Sequence, residues 1–157
     1  MKIFESNFSK LLLCLATCLP VIISCVDERK NRQEDKSLAD TVRVIQTVLY
    51  DKKFESRLTK YFQGQSLTLV ENGIIKRNSL YKFADRPVKI VSVNGDLYEL
   101  HERFTGRFFM SVSTVRFFDK DSATVFAILH AGNSTFSFKL KKEGQNWVIR
   151  SHEYGKF

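Results

Sequence analysis

The sequence predicts an α+β domain in which N-terminal helices pack on a curved antiparallel sheet that ends in a four-strand meander. Apolar residues first recur at helical spacing and then, beyond about residue 66, alternate with polar ones as in strands. The last strand-like runs are separated only by short turn segments, which makes neighbouring strands antiparallel. The 157 residues fit a single domain.

Two helices are predicted at the start of the domain. In the first, Ser37 and Asp40 have the spacing of a capping box. Its apolar face is formed by Leu38, Val42, Ile45 and Leu49. Asp51 is predicted to cap the second helix, which ends near Gly64. Its apolar side is formed by Phe54, Leu58 and Tyr61.

The middle of the chain contains hairpin signals. Asn72-Gly73 lies between apolar alternations, and this dipeptide readily adopts the positive φ angles of a two-residue turn. A further strand, VKIVSVNGD, leads to Asn94-Gly95. Residues Leu97 to Phe104 fit either a strand or a short helix.

Four strands are predicted in the C-terminal part, and their turns read DKDS, HAGN and KEGQN. The strands are Phe108–Phe118, Ala123–Leu129, Ser134–Leu140 and Trp147–His152. The second is apolar on both faces, so it is expected to be central and covered on both sides, one of them by the helix at Leu38. In the third, the apolar face holds Phe136, Phe138 and Leu140. Trp147 is expected to be buried against the first helix.

The segment Phe136 to Ser151, with its alternating strand, Gly turn and Trp-apolar-apolar strand, resembles the end of many small exported proteins of the nuclear-transport-factor-2-like fold. At the level of pattern the resemblance covers Leu38 to Phe157. Ser66 to Phe104 departs from it, with more hairpin signal and less helix than that fold shows. A bacterial lipoprotein group with no assigned activity fits equally well.

The N-terminus has the pattern of an export signal. Lys2 and Lys10 give a positive beginning, and Leu11 to Ile23 forms an apolar run too short to cross a bilayer as a helix. The end of this run, Ile22-Ile23-Ser24-Cys25, resembles a bacterial lipobox. In such signals a peptidase cuts before the cysteine, whose sulfur then carries a diacylglycerol. Cys18, after Leu15-Ala16-Thr17, is the weaker alternative.

The cysteines agree with a lipoprotein, since none lies beyond Cys25 and the mature chain therefore has no disulfide or cysteine metal site. We predict a signal peptide at 1–24, an acylated Cys25 with a charged tether at 25–37, and one α+β domain at 38–157. Acyl chains such as palmitate anchor a protein firmly when two or more are present. The expected location is the bacterial cell envelope, on the outer membrane. A net charge of +8, or +7 without residues 1–24, is spread along the chain and fits a solvated surface.

Few residues have the spacing of catalytic or metal-binding motifs. Metalloprotease, nucleophile-elbow and phosphate-loop patterns are absent, so neither a metal nor a cofactor is expected. Three histidines occur, at His101, His130 and His152; His130 is expected in an open turn and His152 on the wetter strand face with Arg150. Some members of the fold that this chain resembles are acid–base catalysts. The resemblance therefore implies His130 and Tyr98 as candidates here, with Glu99 or Asp96 as the base. We expect no catalytic residue.

Twelve of the fourteen phenylalanines lie beyond residue 24, including the doublets Phe108-Phe109 and Phe117-Phe118. In a doublet on a strand one ring faces each way, which predicts a double-sided core or an exposed apolar groove. Nucleic acid is not an expected ligand of a tethered, exported protein. The sequence therefore predicts an envelope lipoprotein with a non-enzymatic binding domain for an unidentified protein or small molecule. The alternative is a small-molecule-binding or acid–base catalytic member of the cone-shaped fold.

Overall fold

Two helices precede eight strands in the computed structural model, which describes residues 37–93, 102, 107–130 and 132–156. Helix α1 covers residues 37–49 and α2 covers Lys52–Phe62. The strands are β1 Thr68–Val70, β2 Lys82–Phe83, β3 Arg86–Pro87, β4 Lys89–Val91, β5 Phe109–Phe117, β6 Ser122–His130, β7 Ser134–Glu143 and β8 Asn146–Lys156. The fold described below is that of the unit Asp40–Phe157.

Six strands form one mixed sheet in the order β4-β1-β5-β6-β7-β8, and β2 pairs with β3 in a separate ribbon. Strands β5 to β8 are antiparallel neighbours, so the α+β class and the C-terminal meander are confirmed. The prediction of a wholly antiparallel sheet is wrong, since β1 runs parallel to both β4 and β5. The segment between Val70 and Lys89 is long enough to return the chain in the same direction, as parallel pairing requires.

The predicted hairpin at Asn72-Gly73 is also wrong. The Asn72 carboxamide oxygen accepts from the backbone N–H groups of Ile74 and Ile75, both at 2.8 Å. Its amide nitrogen donates to the carbonyl of Val112 at 2.8 Å. A short polar side chain that bonds its own backbone builds a local turn without a strand pair, and here it also ties that turn to β5.

Both predicted helices are present. Asp51 caps α2 as expected, because its Oδ1 accepts from the Phe54 N–H at 2.8 Å. The helix ends at Phe62, and Gln63 and Gly64 follow with φ angles of 44° and 81°. Helix α1 buries a face rotated from the predicted one: Leu38 is exposed, whereas the buried residues are Val44, Ile45, Val48 and Leu49.

Phe54 lies at the centre of the core between α2 and the meander. Its ring meets those of Phe136 and Phe138 edge-on, each with a centroid distance of 5.0 Å. This geometry suits the positive edge and negative face of aromatic rings. Phe136 and Phe138 share the buried face of β7 with Leu140, as the alternation predicted.

Two β-bulges change which side chains face this core. The register shifts between Val112 and Thr114 in β5, and opposite Lys139/Leu140 in β8, where Arg150 is the extra residue. One extra residue moves all later side chains to the opposite face. Before the bulge, Trp147 and Ile149 face the core. After it, His152 lies opposite buried Phe138, and Tyr154 lies opposite buried Phe136.

Strand β6 lies inside the sheet as predicted, but only one of its faces is fully covered. Alternate residues from Ala123 to Leu129 are buried, while Phe126 on the other face is 37% exposed. The doublet residues do point to opposite sides. Phe108 packs against the main core, whereas Phe109 is buried in a second cluster with Val70.

Candidate functional site

The last histidine joins the meander to the start of α2. His152 Nε2 lies 3.0 Å from Asp51 Oδ1, and both side chains are mostly buried. A carboxylate oxygen can only accept, so the ring nitrogen donates. The expectation that His152 shares the wetter face with Arg150 is wrong, because the bulge at Arg150 places His152 opposite Phe138.

Tyr154 and Arg57 extend this cluster along β8. The imidazole of His152 stacks on Tyr154 with a centroid distance of 6.0 Å, and the Arg57 guanidinium lies 4.0 Å from the Tyr154 ring centre. Burial raises the pKa of Tyr154, and the carboxylate of Asp51 raises it further. The cluster therefore has a hydrogen-bonded carboxylate–imidazole pair and a phenol that stays protonated at neutral pH.

His130 lies in a different setting from the one predicted. It is the last residue of β6 and is half-buried, not part of an open turn. Its Nε2 is 2.9 Å from the Ser111 hydroxyl, and its ring stacks on Phe109 at 4.6 Å. Strand pairing brings these residues together, since Phe109 is directly opposite His130. The expectation of a freely solvated imidazole here is wrong.

The other residues considered from sequence lie outside the described part of the chain. They are Cys25, Asp96, Tyr98, Glu99 and His101, together with the turn Asn94-Gly95, all but one residue of Leu97–Phe104, and the charged tether up to residue 36. Within the described residues, no group of three or more His, Cys, Asp or Glu side chains is arranged to hold a metal ion. No helix in that part of the chain is long and apolar enough to cross a bilayer.

A surface cleft of about 730 Å³ lies between α1 and the β7–β8 turn; we call it the Trp147 cleft. Its lining residues are Val42, Arg43, Gln46, Thr47, Leu80, Gln145, Asn146 and Trp147. Its volume lies in the range of small-molecule sites, roughly 300–1,000 Å³. Leu80 is 92% exposed at this cleft, which is unusual for a large aliphatic side chain.

Gln46 fixes the wall of the Trp147 cleft that carries Leu80. Its amide nitrogen donates to the Lys82 carbonyl and its oxygen accepts from the Lys82 N–H, both at 2.9 Å. The pair of bonds attaches the β2 segment to α1 in the manner of a strand partner. Sequence reasoning missed this role, because a half-buried glutamine on a helix has no distinctive spacing.

Trp147 is 5% exposed, so its predicted burial is confirmed. Its ring lies 5.8 Å from that of Phe117, and the Lys142 ammonium lies 5.3 Å from its centre. Lys142 in turn is 3.4 Å from Asp40 of α1. The indole N–H is buried without a hydrogen-bond partner among the described residues, and such an orphaned donor is uncommon.

A second, smaller cleft of about 330 Å³ lies at the end of α2. We call it the Thr68 cleft. Its aromatic lining residues lie on α2 and just before β5. Its polar and cationic lining residues follow α2, lie on β1 and β4, or directly precede β5. No histidine lines either of these two clefts.

No protein-family model matches this chain, and no curated protein matches it significantly.

Proposed function

We propose that this chain is a bacterial envelope lipoprotein whose α+β domain binds a protein or small molecule at the Trp147 cleft without chemical turnover. The observation that carries the binding function is the cleft itself. It combines a volume of about 730 Å³ with a nearly fully exposed Leu80 and the small exposed part of Trp147. Ligand sites pair apolar surface with a few polar groups, and Gln145 and Asn146 bring side-chain amides to the lining of this cleft.

The envelope location depends on the N-terminal sequence. Lipid on Cys25 and the charged tether that follows would hold the domain near the outer membrane surface. A tethered domain meets its ligand at high local concentration, so a shallow cleft with modest affinity is sufficient.

The catalytic alternative of the nuclear-transport-factor-2-like fold has less support. The resemblance implies helices that cover the concave side of a curved sheet, and the edge-on contacts of Phe54 with β7 fit this arrangement. The parallel strands β4 and β1 do not belong to the predicted pattern. Of the acid–base candidates that the resemblance implies, only His130 lies in the described part of the chain, and it lines neither of the two clefts.

The binding proposal is tested with Leu80→Ser in a complementation assay in a strain that lacks the protein. Leu80 is so exposed that its truncation leaves the fold intact, which circular dichroism verifies. Phe118→Ser is the matched control, since Phe118 is an exposed apolar residue outside the cleft lining.

We expect Leu80→Ser to lose complementation and Phe118→Ser to keep it. Combining Leu80→Ser with Asn146→Ala removes a second contact point of the cleft. If a folded double variant complements as well as the wild type, the Trp147 cleft is not the binding surface.

A further inference from the structure

We propose that the Thr68 cleft binds the phosphate group of a small phosphorylated ligand. This site is separate from the Trp147 cleft and does not depend on the function proposed there. The inference comes from three features of the lining, namely its charges, the hydroxyl of Thr68 and its aromatic residues.

The charges of the Thr68 cleft are all positive. Lys89 and Arg107 line it, and no carboxylate does. Within the described residues neither cation forms an ion pair. Arg86 adds a third positive charge nearby, because its guanidinium donates to the carbonyl of Gly64, which lies between two residues of the lining. Lys and Arg side chains around one concave surface form an environment that attracts anions.

Thr68 adds a hydroxyl to the lining of the cleft. Only 9% of this residue is exposed, and it is the polar member of a strand that is otherwise apolar and buried. Its hydroxyl makes no hydrogen bond within the part of the chain that the structure describes. The hydroxyl borders the cleft, where it can exchange hydrogen bonds with a ligand.

Strand pairing places Thr68 beside one of the two cations. Thr68 of β1 is directly opposite Lys89 of β4, so both side chains leave the same face of the sheet. The Lys89 N–H donates to the Leu67 carbonyl at 2.9 Å, which fixes the backbone there. The side chains of Thr68 and Lys89 therefore start from adjacent positions on a fixed backbone.

The donor set favours a phosphate group. Lysine and arginine only donate hydrogen bonds, and a phosphate carries several strong acceptor oxygens. Gln63, Gln65 and Ser66 bring further amide and hydroxyl donors to the lining. Charge-assisted bonds of this kind are shorter and stronger than neutral ones.

Three aromatic residues also line the cleft, namely Tyr61, Phe62 and Phe108. The rings of Tyr61 and Phe108 lie 5.0 Å apart, and that of Phe62 lies 6.4 Å from Phe108. They offer apolar surface to the part of the ligand that bears the phosphate. A volume of about 330 Å³ limits this part to a small group such as one ring.

The phosphate can belong to a soluble phosphomonoester or to a lipid headgroup. Calorimetric titration of the full chain in a non-ionic detergent at pH 8 separates these sources. The probes are phenyl phosphate, inorganic phosphate, benzyl alcohol and a short-chain phosphatidylglycerol. We expect phenyl phosphate to bind more tightly than inorganic phosphate, and benzyl alcohol to bind least. Tighter binding of the short-chain lipid than of phenyl phosphate identifies the membrane headgroup as the source.

Variants connect this binding to the cleft. Lys89→Gln and Arg107→Gln are each expected to weaken phenyl phosphate binding about tenfold, the size of one charge-assisted hydrogen bond. Lys120→Gln is the control, because it removes the same charge beyond the far end of β5. Affinity is also expected to fall with added salt.

Thr68→Val distinguishes a binding role from a structural one. It is expected to weaken phenyl phosphate binding about threefold, as for a neutral hydrogen bond, and to leave the melting temperature unchanged or raised. A lower melting temperature with unchanged affinity would show that the hydroxyl is structural. Absence of phosphate binding by the wild type, or an equal loss in Lys120→Gln, would overturn the proposal. Neither result bears on complementation by the Leu80 variants.

Discussion

Asp51 and His152, 101 positions apart in the chain, are hydrogen-bonded at 3.0 Å. The same carboxylate oxygen caps α2 by accepting from the Phe54 N–H at 2.8 Å. One side chain therefore starts a helix and attaches it to the last strand of the sheet. The contact exists because the bulge at Arg150 turns His152 toward the core.

Loss of this carboxylate is expected to destabilise the domain. Asp51→Ala removes a helix cap, worth about 1 kcal/mol, and a hydrogen bond to His152 of similar size, so the free energy of unfolding should fall by about 2 kcal/mol. Asp51→Asn keeps an oxygen that can accept from Phe54 and should lose less. Urea denaturation followed by circular dichroism measures both changes.

A double-mutant cycle with His152→Gln isolates the pair. The double variant Asp51→Ala/His152→Gln should lose less than the sum of the single losses, since each change removes the same bond. Strict additivity would mean that the two side chains do not interact in solution.

The sequence predicted the helices and the meander because these rest on local signals. The Asp51 cap is a property of a few neighbouring residues, and so is the alternation that buries Phe136 and Phe138. The side of the sheet on which His152 lies could not be predicted from such local signals. The bulge at Arg150 has no local signature in the sequence, and one extra residue inverts every later side chain.

The central part of the chain shows the same limit. Strands β1 and β4 have three residues each, too few for alternation to be read reliably. At Asn72 the choice between a hairpin turn and a side-chain-bonded turn depends on Val112, forty residues away. The two clefts were likewise hidden, because each is assembled from elements distant in sequence.

Truncation of Trp147 is expected to cost much of the stability of the domain. Removing a buried tryptophan side chain destabilises by roughly 3–5 kcal/mol, against a total of about 5–15 kcal/mol for a typical domain. Trp147→Ala should therefore be poorly folded at 37 °C. Trp147→Phe keeps most of the buried surface and also removes the unpartnered indole N–H, so it should lose less than about 1.5 kcal/mol.

Thermal unfolding by circular dichroism suits both Trp147 variants, since neither retains the natural fluorophore. A melting temperature of Trp147→Ala equal to that of the wild type would contradict the observed burial. It would then assign Trp147 to ligand contact alone.

The burial of the Tyr81 phenol leads us to expect that the domain loses stability at alkaline pH. Burial raises the pKa of this phenol, and the neighbouring Ser79 side chain offsets only part of that rise. Below the ordinary tyrosine pKa of about 10 both states are protonated and the group adds no pH dependence. Above it the unfolded state releases the proton first, so stability falls as pH rises toward the raised pKa of the folded state.

Tyr81→Phe should be as stable as the wild type at pH 7, or more so, and should lose less stability between pH 9.5 and about 11. Urea denaturation at a series of pH values measures the difference, and tyrosinate absorbance reports the ionisation itself. Identical pH profiles for the two proteins would show that the Tyr81 hydroxyl is accessible to solvent in the folded state.

The lipid anchor is tested at Cys25. We expect Cys25→Ala to abolish incorporation of labelled palmitate and to release the protein from the membrane fraction. No cysteine after position 25 could carry the lipid instead. Cys18→Ala is the matched control and should remain labelled. Labelling that persists in Cys25→Ala and disappears in Cys18→Ala would move the cleavage site to the alternative cysteine.

The histidines are expected to contribute to stability and not to the cellular role. His152 holds Asp51, and His130 is bonded to Ser111 and stacked on Phe109, which are the contacts of structural residues. Replacing His101, His130 and His152 together with glutamine should cost about 2 kcal/mol for the two lost hydrogen bonds. That is less than the stability of a typical domain, so the triple variant should fold.

Complementation at reduced temperature separates this stability loss from a loss of function. We expect the triple variant to complement like the wild type where circular dichroism shows it folded, whereas Leu80→Ser at the Trp147 cleft fails. A folded triple variant that does not complement would establish a functional histidine. Single replacements would then identify it, with His152 beside Asp51 as the first to examine, because a carboxylate that accepts from an imidazole fixes the tautomer required for proton transfer.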